Sequence, residues 1–394
     1  MELNNLEHTE NTDVKVVSNW DDFNLDDNIL RGIYSHGFEK PSQIQQTAIL
    51  PIIEKHDVIA QAPSGTGKTG AFTISSLQRL DLSSNTTQVL ILAPTHELVK
   101  QIYSVISSIG TMLDGLKVKL LVGGTSVSDD ASDLRTNVPH VIVGSVGRVS
   151  DMIRRRNIQT QDIKLFVLDE ADEMLSGGFL ENIQQIFVTF DNNVQTAIFS
   201  ATLPKEILDL TERFMKSPKR ITMEAAKLNL EGIQQFYIAL NNDEDKFATL
   251  MDLFSKLTIN QTIVYANSVN RVIELYEAMK KEGCAVCCIH SNMTTQERQS
   301  SLNAFRGGEY RVLISSNVTA RGIDVHQVSF VINFDIPRCV HNYLHRIGRS
   351  GRWGKKGMAI NFVTREDINS MKNIENHYHS TINELPATFD KIIA

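Results

Sequence analysis

Two short runs a hundred residues apart constrain this chain most: Ala62-Pro63-Ser64-Gly65-Thr66-Gly67-Lys68-Thr69 and Asp169-Glu170-Ala171-Asp172. Each stands where an apolar run, 57–61 or 164–168, gives way to polar residues. Each therefore reads as the segment leaving a buried parallel strand, the place where α/β folds hold their ligands.

Residue types state the chemistry of the first run. Gly65 and Gly67 let backbone N–H groups turn inward around a phosphate, and a helix beginning near Gly67 adds its positive end. Lys68 is placed to reach terminal phosphates, and the Thr69 hydroxyl to ligate Mg²⁺. The strict phosphate-loop pattern has Gly at the position of Ala62, so the strand-loop-helix context carries the reading. In the second run, Asp169 ends a strand and suits Mg²⁺, largely through water, because that ion dehydrates reluctantly. Glu170 suits the orientation and deprotonation of an attacking water.

Apolar runs at 88–93, 118–122, 141–144, 164–168 and 196–199 alternate with helical patterns, and a second set follows at 262–266, 285–289, 311–315, 329–334 and 358–363. Between residues 244 and 257, Phe247, Leu250, Met251, Phe254 and Leu257 recur at helical spacing. Such alternation predicts two mainly parallel sheets covered by helices, a doubled α/β architecture. At 394 residues with 42% hydrophobic content, the chain is long enough for two cores. The polar segment 224–232 reads as the linker. The expected division is a tail at 1–18, a first domain at 19–223 and a second at 233–394. Only the first has a phosphate loop.

No apolar run approaches the ~20 residues of a membrane span, and residues 1–13 lack the basic and apolar parts of a signal peptide. A soluble, intracellular protein is expected. Four cysteines form no framework, and Cys284, Cys287 and Cys288 fall in a strand-like run and read as buried small residues.

In the second half, Arg346, Arg349 and Arg352 recur every third residue, and no acidic residue occurs from 336 to 365. That pattern reads as an uncompensated cationic face suited to an anion, such as the γ-phosphate held by the first half. The formal net charge of −7 excludes an electrostatic sponge for nucleic acid. Any affinity for a polyanion must come from local contacts.

The second run gives the DEAD-box RNA helicases their name, and the chain resembles that family in the order and spacing of its motifs over about residues 18–394. Gly37-Phe38-Glu39-Lys40-Pro41-Ser42-Gln43-Ile44-Gln45 is similar to the adenine-reading Q motif. Ser200-Ala201-Thr202, Ala320-Arg321-Gly322-Ile323-Asp324 and His345-Arg346-Ile347-Gly348-Arg349-Ser350-Gly351-Arg352 follow in order. Within the family, Arg31-Gly32-Ile33-Tyr34 and Asp172-Glu173-Met174-Leu175-Ser176 look most like initiation factor 4A and its exon-junction relative.

The resemblance implies two tandem RecA-like domains with ATP between them, Mg²⁺ as cofactor, and local unwinding of RNA driven by ATP hydrolysis. It assigns arginine fingers to Arg349 and Arg352, the adenine to Gln45 with Phe38 or Trp20 stacking, and the ribose to Asp324. It gives coupling to Asp172, Ser200, Thr202 and His345, and RNA to Pro94, Thr95, Gly123, Gly124, Gly147, Arg148, Asn267, Arg321 and Gly322. It further implies single-stranded or weakly paired RNA bound without sequence preference, an initiation-factor-type scaffold as partner, a monomer, and a cytoplasmic location, with a nuclear one as alternative. An ATP-gated RNA clamp is the second reading, and a degenerate partner-binding homologue the third. Departures from the family lie mostly on the RNA side, with His96 for Arg, Ser145-Val146 for Thr-Pro and Asn317 for Asp; Val269 also replaces an Arg.

Overall fold

Strands of two to seven residues alternate with helices along the chain, and most strands are apolar on both faces because helices cover both sides of each sheet. The computed structural model describes residues 14–63, 65–176, 178–191, 193–223, 233–256, 261–317, 328–350 and 357–386. Contacts divide the chain into two units, Met1–Met223 and Glu224–Ala394.

The first unit contains β1 (Val58–Gln61), β2 (Val89–Ala93), β3 (Val118–Leu121), β4 (Val141–Ser145), β5 (Leu165–Asp169), β6 (Gln195–Ser200) and β7 (Lys219–Thr222). They form one parallel sheet in the order β3-β4-β2-β5-β6-β1-β7. The period of two is visible in β2, whose Val89, Ile91 and Ala93 join the core on one face while Leu90 and Leu92 join the other.

Strand order positions the chemistry. β1, β6 and β5 are neighbours, so the segments leaving their carboxyl ends, beginning at Ala62, Ala201 and Glu170, lie side by side. β2, β4 and β3 form the other half of the same edge and release Pro94, Val146 and Val122.

The second unit holds β8 (Ile233–Ala239), β9 (Thr262–Tyr265), β10 (Val286–Ile289), β11 (Val312–Ser315), β12 (Phe330–Asn333), β13 (Gly357–Val363) and β14 (Asn383–Glu384). All pairs are again parallel, in the order β10-β11-β9-β12-β13-β8-β14. The two-sheet α/β expectation is met, and the helix expected at 244–257 is Asp245–Lys256. β8 and β14 are additions to the strands read from the sequence. Cys287 is buried, and burial pushes its thiol up to about 12, whereas Cys284 and Cys288 are half-buried and Cys339 is exposed. Among the described residues no helix is long and apolar enough to cross a membrane.

Candidate nucleotide and nucleic-acid sites

The loop after β1 turns on left-handed glycines, Gly65 at φ +83° and Gly67 at φ +102°. Gly67 has a second reason to lack a side chain: a Cβ there would stand 2.4 Å from Ser42 Oγ and 2.9 Å from Gln45 Nε2. The helix Lys68–Gln78 starts directly after it. Lys68 is buried, with Nζ 3.0 Å from the Ala62 carbonyl and 3.3 Å from Glu170 Oε1. Lysine and carboxylate meet because the ends of β1 and β5 are separated only by β6.

Glu170 itself has φ +52°, a left-handed conformation that costs a non-glycine residue roughly 1–2 kcal/mol. Its N–H donates to Asp169 Oδ1 at 3.0 Å. Burial, then the neighbouring Glu170 charge, raises the Asp169 carboxyl to about 7. Two buried carboxylates share one ammonium here, an arrangement that favours an added cation.

Next along the edge, Thr202 Oγ1 donates to Asp172 Oδ2 at 2.8 Å, and the Asp172 N–H donates to Ser200 Oγ at 3.2 Å. The loops after β5 and β6 are thereby tied together.

Gln45 is almost fully buried, and both ends of its amide are engaged: Oε1 accepts from the Ser42 N–H at 2.8 Å and Nε2 donates to the Gly67 carbonyl at 3.1 Å. The Q-motif segment thus touches the phosphate loop directly. Trp20 cannot stack on a base as the sequence reading allowed. It is 1% exposed, its Nε1 donates to the Phe38 carbonyl at 3.0 Å, and its ring lies 6.4 Å from that of Phe38. Trp20 supports Phe38, which is half-buried.

A groove of about 380 Å³ lies along the other half of the edge, lined by Pro94, His96, Gly123, Val146, Gly147, Arg148 and Phe179 among others. Two helices begin there, His96–Ile109 and Val146–Arg154, and the Thr95 hydroxyl caps the first by accepting from the Leu98 N–H at 3.2 Å. Their N–H ends supply positive potential without a basic side chain. Arg148 does not contribute a loose charge: its guanidinium donates to the Thr125 carbonyl at 2.8 Å and pairs with Asp130. It holds the segment after Gly123-Gly124. Sequence reasoning missed Phe179, a single aromatic without periodic neighbours.

In the second unit the expectation of an uncompensated arginine face is corrected at Arg346. That residue is fully buried in a cage of neutral oxygens, from Asn317 (2.8 Å), Asn333 (3.2 Å), the Asp335 carbonyl (2.8 Å) and Asn267 (2.8 Å). Burial pushes its guanidinium down to about 10. Asn317, read as an RNA-side departure, turns its side chain to Arg346 instead. Asn267 is exposed as a residue, although its amide is held from both ends, Nδ2 donating to the Ile336 carbonyl at 2.8 Å. Arg349 is buried, with Nε donating to the His345 carbonyl at 3.3 Å. Ser64, Arg321, Gly322, Asp324 and Arg352, together with the expected linker, lie outside the described residues.

The DEAD/DEAH box helicase model matches residues 42–210, and the helicase conserved C-terminal domain matches 245–354. The chain belongs to the DEAD-box helicase family. The ATP-dependent RNA helicase eIF4A of Saccharomyces cerevisiae (strain YJM789) is 48% identical over 373 residues, 95% of this chain and 94% of that one. A probable eukaryotic initiation factor 4A of Trypanosoma brucei brucei (strain 927/4 GUTat10.1) is 49% identical over 379 residues, 95% and 93%. Among solved structures, S. cerevisiae Dbp5 bound to RNA and ADP BeF3 matches with TM-score 0.87 and 33% identity, over 96% of this chain and 99% of that one. As a DEAD-box helicase the protein is an ATP-hydrolysing enzyme that acts on RNA, of the initiation-factor-4A type.

Proposed function

We propose that the protein separates short RNA duplexes in an initiation-factor-4A-like manner, with nucleotide chemistry at the β1-β6-β5 half of the first sheet and RNA at the β2-β4-β3 half. The observation that carries this is the buried Lys68–Glu170 pair at 3.3 Å with Asp169 beside it. The backbone N–H groups around Gly65 and Gly67 bind the nucleotide phosphates, and Lys68 exchanges Glu170 for a terminal phosphate oxygen. Glu170, so released, accepts a proton from the attacking water. Thr69 and Asp169 would hold Mg²⁺, largely through water, and the ion would supply neutralisation of phosphate charge. Phe38 and Gln45 face the adenine, once Gln45 releases Gly67. On the family's pattern Asp324 is assigned to the ribose, and Arg349 with Arg352 to charge on the transferred phosphoryl group once the domains 19–223 and 233–394 close.

RNA phosphates lie against Pro94, Thr95, Gly123, Gly124 and Gly147, within reach of the two helix starts, with Asn267, Arg321 and Gly322 on the second domain. Asp172, Ser200, Thr202 and His345 carry the state of one half to the other. The solved Dbp5 relative is bound to RNA and ADP BeF3, which supports one protein holding both ligands at once. Location in the cytoplasm as a monomer, and an initiation-factor-type scaffold as partner, go with the initiation-factor relatives.

The test is ATP hydrolysis with and without single-stranded RNA, together with unwinding of a short duplex. Wild type should be stimulated by RNA and should unwind. Lys68→Ala should weaken ATP binding, and Glu170→Gln should keep binding but stop turnover, trapping RNA. Hydrolysis without unwinding, with persistent RNA binding in a non-hydrolysable analogue, would instead identify a clamp.

A further inference from the structure

In the second unit, the segments leaving the carboxyl ends of the adjacent strands β9 and β12 meet at one buried acid, and Asn317, leaving β11 beside them, bonds the Arg346 that also contacts it. Asp335 follows β12 and is 8% exposed. Its Oδ2 accepts from the Asn267 N–H at 3.0 Å, and its Oδ1 accepts from Lys246 Nζ at 3.1 Å and Arg271 Nε at 3.2 Å. Its carbonyl accepts from Arg346 Nη1 at 2.8 Å, and its own N–H donates to the Tyr265 carbonyl at 3.2 Å.

These bonds close a ring. Arg346 Nη2 donates to Asn267 Oδ1 at 2.8 Å, and Asn267 Nδ2 returns to the carbonyl of Ile336, the residue after Asp335. Asn267 belongs to the loop that leads into the helix Val269–Lys281, and Arg346 to the helix Val340–Ile347, three residues before Arg349. One short segment, 335–336, therefore fixes both the segment assigned to RNA and the helix that leads to the assigned finger.

The buried cations explain why an acid is needed there. Lys246 is 3% exposed and Arg346 0%, and a buried charge is tolerated when it is paired or hydrogen-bonded. Asp335 is the buried one of the acids that pair with Lys246 and Arg271, the half-exposed Asp243 being the other they share, and its backbone completes the neutral cage of Arg346. Asn267 is joined to Arg346 by two routes, directly through its amide and through the Asp335 segment.

We propose that Asp335 is a positioning residue that links the RNA-facing loop at Asn267 to the helix preceding Arg349, so that RNA contact sets the placement of that arginine. The proposal rests on the assignment of RNA to Asn267 and of the terminal phosphate to Arg349 given above.

The experiment measures ATP hydrolysis against RNA and ATP concentration for wild type, Asp335→Asn, Arg346→Lys and Lys246→Met, with thermal melting of each. Asp335→Asn should lower the RNA-stimulated kcat by about tenfold, the scale of a coupling residue, while KM for ATP and hydrolysis without RNA change less than about twofold. Arg346→Lys keeps a charge but cannot bridge Asn267 and Asp335 together, so it should give the same pattern. It carries the test if Asp335→Asn fails to melt cooperatively. Lys246→Met removes ion pairs to Asp243, Asp335 and Asp367 but none of the bonds among Asn267, Arg346 and the Asp335 backbone, so it should lower the melting temperature with RNA stimulation retained. The proposal is overturned if stimulation survives in Asp335→Asn or Arg346→Lys. It is also overturned if their activities with and without RNA fall equally, since that is loss of fold alone. A wild type without RNA stimulation would remove the functional reading as well, so the two failures are distinguishable.

Discussion

His140 shows how a single residue can make the fold sensitive to acid. Burial lowers its pKa, and the nearby Lys117 lowers it further; its Nδ1 accepts from the Lys117 N–H at 3.1 Å, which only the neutral ring can do. His36 is lowered as well, by burial. A base whose pKa is depressed on folding adds stability that is fully present above its ordinary value of 6.5 and is lost as pH falls through the depressed value. The histidines therefore pull the melting temperature down between pH 7 and pH 5, while protonation of the raised Asp169 carboxyl works the other way; His140→Gln should remove part of the downward contribution, and a pH dependence identical to wild type would remove His140 from the account. Chemistry-bearing residues were the legible ones at this scale, because Gly65, Lys68, Asp169 and Glu170 carry meaning in their types and order. Partners were not legible. Nothing in Arg346 or Asn317 as letters says that one turns into the other, and the left-handed backbone of Glu170 has no signature in a residue type that ordinarily avoids it.

At the scale of elements, apolar strands were read within one or two residues, since a parallel strand buried on both faces leaves an unbroken apolar run. β8 escaped because Gln234 and Gln235 interrupt its run; Gln235 is 7% exposed and accepts from the Tyr343 hydroxyl at 2.9 Å, so its polarity is satisfied inside. β14, with two residues, is too short for any period. Helix packing was equally invisible. The helix Asp27–Ser35 crosses the end of His96–Ile109 so closely that a Cβ on Gly32 would stand 1.9 Å from the Ile109 carbonyl oxygen. Gly32→Ala must push the two helices apart and should destabilise the first unit by about 1–3 kcal/mol, the range for overpacking. Thermal or urea unfolding checks this, and a stability equal to wild type would mean that the crossing yields without cost. Arg148 has a comparable role for the loop after β3, so Arg148→Ala should weaken RNA binding by freeing Gly123-Gly124 while leaving ATP affinity in place, measurable by titration with each ligand.

For the whole molecule, the question is how a chain of net charge −7 holds a polyanion. In the function proposed above, the groove beside Gly123 answers it with dipoles: two helix starts and glycine backbone, with Arg148 already paired to Asp130. Binding built this way releases few counterions, so its dependence on salt should be shallow. His96 stands where the family usually carries arginine. It is the first residue of its helix, and its Nε2 is 3.3 Å from the position a Cβ on Gly123 would take, so an arginine there would start from the wall of the groove. His96→Arg should add one permanent phosphate contact, tightening ATP-dependent RNA binding by about fivefold, on the order of 1 kcal/mol for a partly exposed pair. The plot of log affinity against log salt should steepen by roughly one unit, because one further phosphate is neutralised. Hydrolysis without RNA should be little changed, since the β1-β6-β5 half of the edge is untouched. RNA titrations of wild type and His96→Arg at two salt concentrations, with a non-hydrolysable ATP analogue, decide the matter. If neither affinity nor slope moves, position 96 does not face phosphate in this protein, and the groove has been rebuilt around the smaller ring.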